Sequence, residues 1–465
     1  MTHLKEINRR DPNEKLKIAV IGSGISGMSA AWMISQSHDV HLFEKDDRIG
    51  GHSNTVTVDG EHIDTGFIVY NERNYPNLVN LLQHLNVGSI ASEMSFAVSA
   101  SGGKLEYSGA DIPGLFAQRK NIANPQFWRM IFDILRFFKQ SRKVLADRKY
   151  ENITLGKYLQ DNGYSDYFRD NHLVPMGAAI WSTPLGNMLE FPVSSFVRFC
   201  DNHGLLQVND RPLWRTVEGG SQAYVAELTK SFADGIHLNR GVRRIERHEN
   251  WVEIEDAHGI RETFDHVVLA GHGDQTLPLL ADASPIEERL LGAFRYQRNL
   301  AILHSDPSLM PKNRKVWSSW NYLSEDNESN GPVCVTYWMN HLQRLEADRP
   351  YLVTLNPIHQ PAEKHIHRSF LYDHFIFDQA AMRAQRLLWN LQGLNRTWFC
   401  GSYFGYGFHE DGLQSGLAVG EALSGRFRPW QVADTESANR VFLPNDWHKE
   451  WRVGETARGG LRRAA

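Results

Sequence analysis

The run IAVIGSGISGMSAAWMI, residues 18–34, constrains the chain more than any other. KIAVI, residues 17–21, reads as a short buried strand, and Gly22, Gly24 and Gly27 follow it at once. ISGMSAAWMIS then reads as a helix, and DVHLFEK as a second strand ending at Glu44. An acid about 20 residues beyond a G-x-G-x-x-G is the remaining part of a dinucleotide-binding fingerprint. Gly22 permits the tight turn, Gly24 admits a pyrophosphate to the backbone, and Gly27 lets helix and strand pack closely. The helix N-terminus offers free N–H groups to phosphate, and Glu44 offers a carboxylate to ribose hydroxyls. Ser26, inside the fingerprint, and Lys45, after the acid, are counted with the same set.

The fingerprint does not say which dinucleotide is held, because NAD, NADP and FAD folds share it. The continuation adds to it. Arg48 is followed by Gly50, Gly51 and His52, and DTG follows at Asp64, Thr65 and Gly66. Two adjacent glycines let backbone amides crowd an anion, and an arginine adds a charged donor. Near the other end, TWFCG reads as a strand closing on Gly401. GLQSGLAVGEAL reads as a helix with a small-residue face, and a loop with Glu410, Asp411 and Gly412 lies between. A third stretch, residues 235–280, alternates apolar and polar residues in short runs, the mark of a β-meander.

The ExxxRxGG run resembles the amine oxidase, phytoene desaturase and protoporphyrinogen oxidase superfamily of FAD proteins. The resemblance implies FAD as cofactor and an α/β fold: a Rossmann-type, amine oxidase-like FAD-binding domain with an inserted α+β substrate domain. Residues 15–75, 205–280 and 393–425 are expected to form the FAD-binding domain. Residues 76–204 and 281–392 would form the substrate domain, and 426–465 a tail. It also implies that Val242 holds adenine with backbone groups, and that Gly401, Asp411 and Gly412 meet the ribityl chain and flavin. The second helix would then present its positive end to the flavin's O2 and N1 side. Only one complete fingerprint is present, so no built-in NAD(P)H domain is expected. An NAD-only dehydrogenase is the alternative.

A longer series narrows the resemblance: FEKDDRIGGHSNTVTVDG, GFIVYNERNYPNL, GLFAQRKNIANPQFW, VPMGAAIWSTP, NHGLLQVNDRPLW and FCGSYFGYGFHEDGLQSGLAVGEAL, in that order. Together they are similar to the FAD-dependent oxidoreductase region fused to the N-terminus of plant cyclopropane fatty acid synthases, and to its free-standing bacterial relatives. This implies an FAD-dependent oxidoreductase that dehydrogenates or otherwise modifies fatty acyl chains of lipids, by hydride transfer to flavin N5. The linked metabolism would be that of cyclopropane or methyl-branched fatty acids, with a cyclopropane-type lipid methyltransferase as a partner. The alternatives are an amine or polyamine oxidase and a non-catalytic flavoprotein partner of such a methyltransferase. Many amine oxidases place a lysine near the flavin on a late strand. The corresponding strand here, YQRNLAILH, carries Gln297, Arg298 and Asn299 and no lysine.

Tyr406 and His409 are the candidates for proton acceptor or substrate positioner, since Tyr and His commonly take that role. Trp181 and Tyr403 are assigned to the substrate cavity, Trp181 as packing more than as a reacting group, and His172 is a weaker cavity candidate. The segment 124–145 reads as an amphipathic helix with Phe127, Trp128, Ile131, Ile134, Leu135 and Phe138 on its apolar face. Arg129, Asp133, Arg136 and Gln140 mark the polar side. An ordinary core-covering helix is the first reading, and a membrane-surface helix or lid the second. The densest histidine cluster, around His365 to His367 and HRSFLYDH, reads as a solvated loop, and no metal site is expected.

Bulk composition agrees. Among 465 residues, 42% are apolar and 22% charged, and the net charge of −4 gives no sign of nucleic-acid binding. Three scattered cysteines form no disulfide framework and suit a reducing compartment. The polar opening residues lack the apolar run of a signal peptide. A cytoplasmic protein is expected, with peripheral contact at the inner face of the membrane.

Overall fold

The structure, a computed structural model, describes residues 15–150, 153–181, 185–207, 211–325, 333–376 and 378–432. Most of the expected tail, from residue 433 onward, lies outside the described residues. Two compact units form. The first is built from residues up to Gly51, Tyr224–Arg295 and Ala380 onward; the second from His52–Ala223 and Tyr296–Gln379.

The first unit centres on a five-stranded parallel sheet. Its order is Ile236–His237, Asp39–Phe43, Lys17–Ile21, His266–Leu269 and Thr397–Phe399. The register places Ile21 beside Phe43 and Leu269, and Leu269 beside Phe399. The strands therefore end level, and their loops, beginning at Gly22, Glu44, Ala270 and Cys400, emerge along one edge. That is where open α/β sheets bind ligands. The first helix, Ile25–Ser35, is buried over ten consecutive residues, which explains its unbroken small and apolar composition. The C-terminal helix, His409–Ser424, packs on it through Gly412, Gly416 and Gly420. A Cβ at Gly416 would overlap the Ser26 carbonyl, and one at Gly420 would come within 2.5 Å of Met33 Cβ. The expected meander is present as strands Val242–Arg247, Val252–Asp256 and Arg261–Phe264, paired antiparallel.

The second unit carries a seven-stranded sheet. Its order is Ile366–Ile376, Arg295–His304, Leu352–Leu355, Cys334–Trp338, Trp320–Leu323, Phe96–Ala100 and Leu105–Ser108. A helical layer includes the long helix Pro125–Ala146 and helices Leu155–Asp161, Val174–Trp181 and Val193–Asn202.

Three expectations need correction here. The unit limits differ from 75, 205, 280 and 393. Strand Trp214–Val217 pairs with Tyr70–Asn71 and with Ser89–Ser92, and Ser221 bonds Asp64, so 52–75 and 205–223 are tied into the second unit. The histidine cluster is no loop: His367 and His374 lie in the strand Ile366–Ile376. The long helix turns a different face inward, formed by Phe127, Met130, Asp133, Phe137, Ser141 and Val144. Asp133 is buried because Ser165 N–H and Oγ donate to it at 3.0 and 2.7 Å and Arg136 pairs with it at 3.0 Å. A paired, hydrogen-bonded carboxylate is a tolerable core residue, and its burial turns Trp128, Phe132 and Leu135 outward.

Candidate functional site: a dinucleotide cradle and a neutral polar cluster

In the first unit, Gly22 adopts φ +103°, and its N–H donates to Phe43 O at 2.9 Å, so the turn is tied to the neighbouring strand. A Cβ at Gly27 would overlap Gly22 O, so only glycine allows this helix to approach the strand. Gly24 is different. It is the N-cap of the first helix, makes no side-chain cap, and a Cβ there would meet nothing within 4 Å. Uncapped helix N–H groups beside open space fit an incoming phosphate.

The second glycine pair closes on the first loop. Gly50, at φ +111°, donates its N–H to Ser23 O at 3.1 Å and Ser23 Oγ at 3.2 Å. A Cβ at Gly51 would stand 3.0 Å from Gly24 Cα. Arg48 donates to Gly51 O at 2.9 Å and holds its own loop in shape. Glu44 is buried and accepts Ser23 N–H at 3.0 Å, Ser23 Oγ–H at 2.5 Å and Asp46 N–H at 3.0 Å. The carboxylate thus orients the glycine loop, and its two oxygens retain acceptor capacity for ribose hydroxyls. Lys45 is exposed, and a Cβ at Gly241 would come within 2.9 Å of Lys45 Cβ. This sets half-buried Val242, at the bulged start of its strand, beside the end of the Glu44 strand. The residues present therefore fit the diphosphate and ribose of a dinucleotide.

At the far end, the C-terminal helix starts earlier than expected. Glu410, Asp411 and Gly412 lie in its first turns rather than in a loop. Asp411 Oδ2 accepts Phe408 N–H at 2.8 Å, and that capping bond draws the helix back to His409. Both acids are fully buried, so the helix's positive end is partly matched within the chain. Ser26 Oγ lies 3.4 Å from Ala270 O. Gly401 donates its N–H to Ser415 Oγ at 2.9 Å, and Gly412 packs against Ile25.

The four chemical candidates separate. Tyr403 is fully buried, its ring 4.9 Å from Phe294 and 5.0 Å from Phe404, which makes it core. Trp181, in the second unit, packs among Phe191, Phe196 and Phe199. Tyr406 is half-buried. His409 Nε2 lies 2.7 Å from the hydroxyl of the fully buried Tyr224, so the two share a proton. Gln385 donates to the carbonyls of Tyr403 and Gly405 at 2.9 and 2.5 Å and shapes that loop. His172 Nδ1 lies 2.9 Å from Tyr107 Oη, and burial pushes the imidazole down to about 4.

In the second unit, His52, Thr65 and Gly66 are gathered tightly. His52 O accepts the N–H of Asn54 and Phe67, and a Cβ at Gly66 would overlap it. Asn54 Nδ2 donates to Thr65 Oγ1 and to Tyr372 Oη, both at 2.9 Å. The His52 ring stands 4.8 Å from Tyr372 and 5.8 Å from His374. His374 Nδ1 meets Asn299 Nδ2 at 3.0 Å. Sequence reasoning missed Tyr224, Gln385, Tyr372 and His374. The four-residue spacing of Gly412, Gly416 and Gly420 was the one available signal for the helix contact. Among the described residues, no three His, Cys, Asp or Glu side chains are grouped as a metal would require, and no helix is long and apolar enough to cross a membrane.

The family described as flavin containing amine oxidoreductase matches residues 25–423. A 4,4'-diapophytoene desaturase of Staphylococcus aureus (strain Newman) is 48% identical over 52 residues, 11% of this chain and 10% of the desaturase. The chain thus matches about a tenth of the length of that relative. The fold is like that of putrescine oxidase bound to putrescine, with a TM-score of 0.64, 16% identity, and 89% of this chain and all of the other covered. A CLA-producing fatty acid isomerase from P. acnes gives a TM-score of 0.62 at 15% identity, over 86% of this chain and 97% of the isomerase. Cyclohexylamine oxidase from Brevibacterium oxydans IH-35A gives 0.63 at 16%, over 89% and 99%. With the cradle's geometry and a match over most of its length, this chain belongs to the flavin containing amine oxidoreductase family and takes FAD as its cofactor.

Proposed function

We propose that this FAD-dependent oxidoreductase dehydrogenates or otherwise modifies the acyl chains of lipids, in the metabolism of cyclopropane or methyl-branched fatty acids. Asn299 carries the reading. The strand Arg295–His304 contains no lysine, and Asn299 is fully buried in it and bonded to His374. The cluster around it is made of amides, hydroxyls and imidazoles: Asn54, Thr65, Tyr372, His374 and Asn299. A cationic amine entering a low-dielectric site needs a carboxylate or an equivalent partner, and an acyl chain needs none.

When bound, FAD supplies the acceptor for a hydride, while the second hydrogen leaves the substrate as a proton. The chain's own groups would bind and orient: the glycine loops would hold the diphosphate, and Glu44 holds the first loop in register. Tyr406 and the Tyr224–His409 pair are the proposed proton-handling groups. The resemblance to the region fused to plant cyclopropane fatty acid synthases supports the lipid reading, as do a desaturase and a fatty acid isomerase among the similar proteins. Putrescine oxidase and cyclohexylamine oxidase favour amine oxidation as the second reading.

The test is anaerobic. The FAD-loaded protein is mixed with detergent-dispersed lipids bearing plain, methyl-branched or cyclopropane acyl chains, and in parallel with polyamines. Bleaching of the flavin band by one lipid class is expected. Bleaching by polyamines alone would replace the lipid reading with the amine one. Bleaching by neither would favour a flavin-holding partner of a lipid methyltransferase.

A further inference from the structure

The long helix Pro125–Ala146 leaves a second apolar stripe unused. Trp128, Phe132 and Leu135 stand at i, i+4 and i+7, on the side opposite the buried row of Met130, Phe137 and Val144. Their exposures, with those of Ile112 and Ile122, run from 49% to 75%. Trp128 adjoins Ile122 and Phe116. Trp128 Nε1 donates to Ile122 O at 2.8 Å, and the Trp128 ring stands 5.3 Å from Phe116, the C-cap of the short helix Ile112–Leu115. Scattered exposed apolar residues are ordinary, but a contiguous set is a contact surface.

Charge identifies the contact. Lys139 and Lys143, both exposed, continue the same stripe one and two turns further on. Between Asp111 and Ala146 there are seven Lys and Arg against two Asp, a net +5 within a chain of net −4. One of those two acids, Asp133, is buried and paired with Arg136. An apolar row of Trp, Phe and Leu running into exposed lysines is the pattern of an interfacial helix, whose rings enter the acyl boundary while its cations meet anionic headgroups. Lysine stems lie along such a boundary with their ammonium groups in the headgroup layer.

We propose that this face docks on an anionic lipid bilayer, with Trp128, Phe132 and Leu135 inserted and Lys139 and Lys143 on the headgroups. The inference extends the lipid reading above and rests on it for the purpose of the contact.

The experiment is co-sedimentation of the FAD-loaded full chain with vesicles of phosphatidylcholine alone or mixed with phosphatidylglycerol. The wild type is expected to sediment with the mixed vesicles, and less so at high salt. Phe132→Glu with Leu135→Glu should lower partitioning at least about tenfold. Lys139→Glu with Lys143→Glu should abolish the preference for phosphatidylglycerol. Both variants should keep the wild-type visible spectrum and melting temperature, since their side chains are exposed. A wild type that stays in the supernatant with both vesicles overturns the proposal, as does a Phe132/Leu135 variant that sediments equally well. So does a wild-type dimer that the same variant converts to a monomer, which would assign the face to a second copy. Vesicle binding without flavin bleaching by any dispersed lipid would sink the substrate reading and leave the docking face standing.

Discussion

Asn299 donates its side-chain amide to Nδ1 of His374 across 3.0 Å, and a backbone N–H two links away fixes the direction of that bond. Leu300 N–H can only donate, and it does so to Asn356 Oδ1 at 3.0 Å. Asn356 Nδ2 therefore faces Asn299 Oδ1, at 2.7 Å. Asn299 Nδ2 is left for Gln297 O and His374 Nδ1. With Nδ1 accepting, His374 is neutral and carries its proton on Nε2. Nitrogen-15 spectra of histidine-labelled protein should show His374, identified by its loss in His374→Gln, as the Nε2–H tautomer. Asn299→Asp replaces the donor with an acceptor and should move the proton to Nδ1. A wild-type Nδ1–H signal would break the chain of bonds just described.

Gly24 and Gly27 make opposite predictions. A methyl group at Gly24 meets nothing in the protein, whereas one at Gly27 overlaps Gly22 O. Gly24→Ala should leave the stability of the FAD-free chain within about 0.5 kcal/mol of wild type. It should weaken FAD binding at least about tenfold, or about 1.4 kcal/mol. Gly27→Ala should destabilise the FAD-free chain itself by about 1–3 kcal/mol. Melting without cofactor and flavin titration separate the two. A Gly24→Ala chain that binds FAD normally would remove the diphosphate from that loop.

The helix contact gives a graded series. Alanine normally gains about 1 kcal/mol over glycine inside a helix. Gly416→Ala should nevertheless lose about 1–3 kcal/mol, because its Cβ overlaps the rigid Ser26 carbonyl. Gly412→Ala should cost less, since its nearest neighbour is a side-chain methyl of Ile25 at 3.0 Å. Denaturant unfolding of the two variants measures the order, and equal losses would argue against close helix packing as the cause.

Acid stability should report on His172. Burial holds its folded pKa at about 4, below the unfolded value of 6.5. On acidification the unfolded chain takes up the proton first, so its contribution is intact above pH 6.5 and lost as pH falls toward 4. The full loss is about 3 kcal/mol. Asp64, pushed up to about 6 by burial, acts with the opposite sign: its cost appears as pH rises from about 4 to 6. Wild type minus His172→Gln cancels the Asp64 contribution. That difference should be near constant above pH 6.5 and change steadily between 6.5 and 4. A flat difference would show that His172 is solvated.

The cradle was legible because its chemistry is local. Gly22, Gly24, Gly27 and Glu44 follow one another through strand, turn, helix and strand, and each is chosen by a backbone constraint acting within a few residues. Glu410 and Asp411 were misplaced because a capping bond to Phe408 N–H extends the helix, and helix ends depend on such single bonds. The long helix was read with the wrong face inward for a related reason. Hydrophobicity alone ranks Trp128 and Leu135 above Asp133, and only the bonds from Ser165 and Arg136 reverse that ranking.

The sequence by itself determined the strands of the nucleotide-binding sheet and the glycine loops that follow them, because glycine backbones and strand periodicity act on neighbouring residues. Only the tertiary structure decided which polar side chains meet. Asn299 and His374 are 75 residues apart and Tyr224 and His409 are 185 apart, and such pairs exist only once the elements that carry them have packed. Their partners, and hence their proton states, follow from burial and bond direction, which no local pattern encodes.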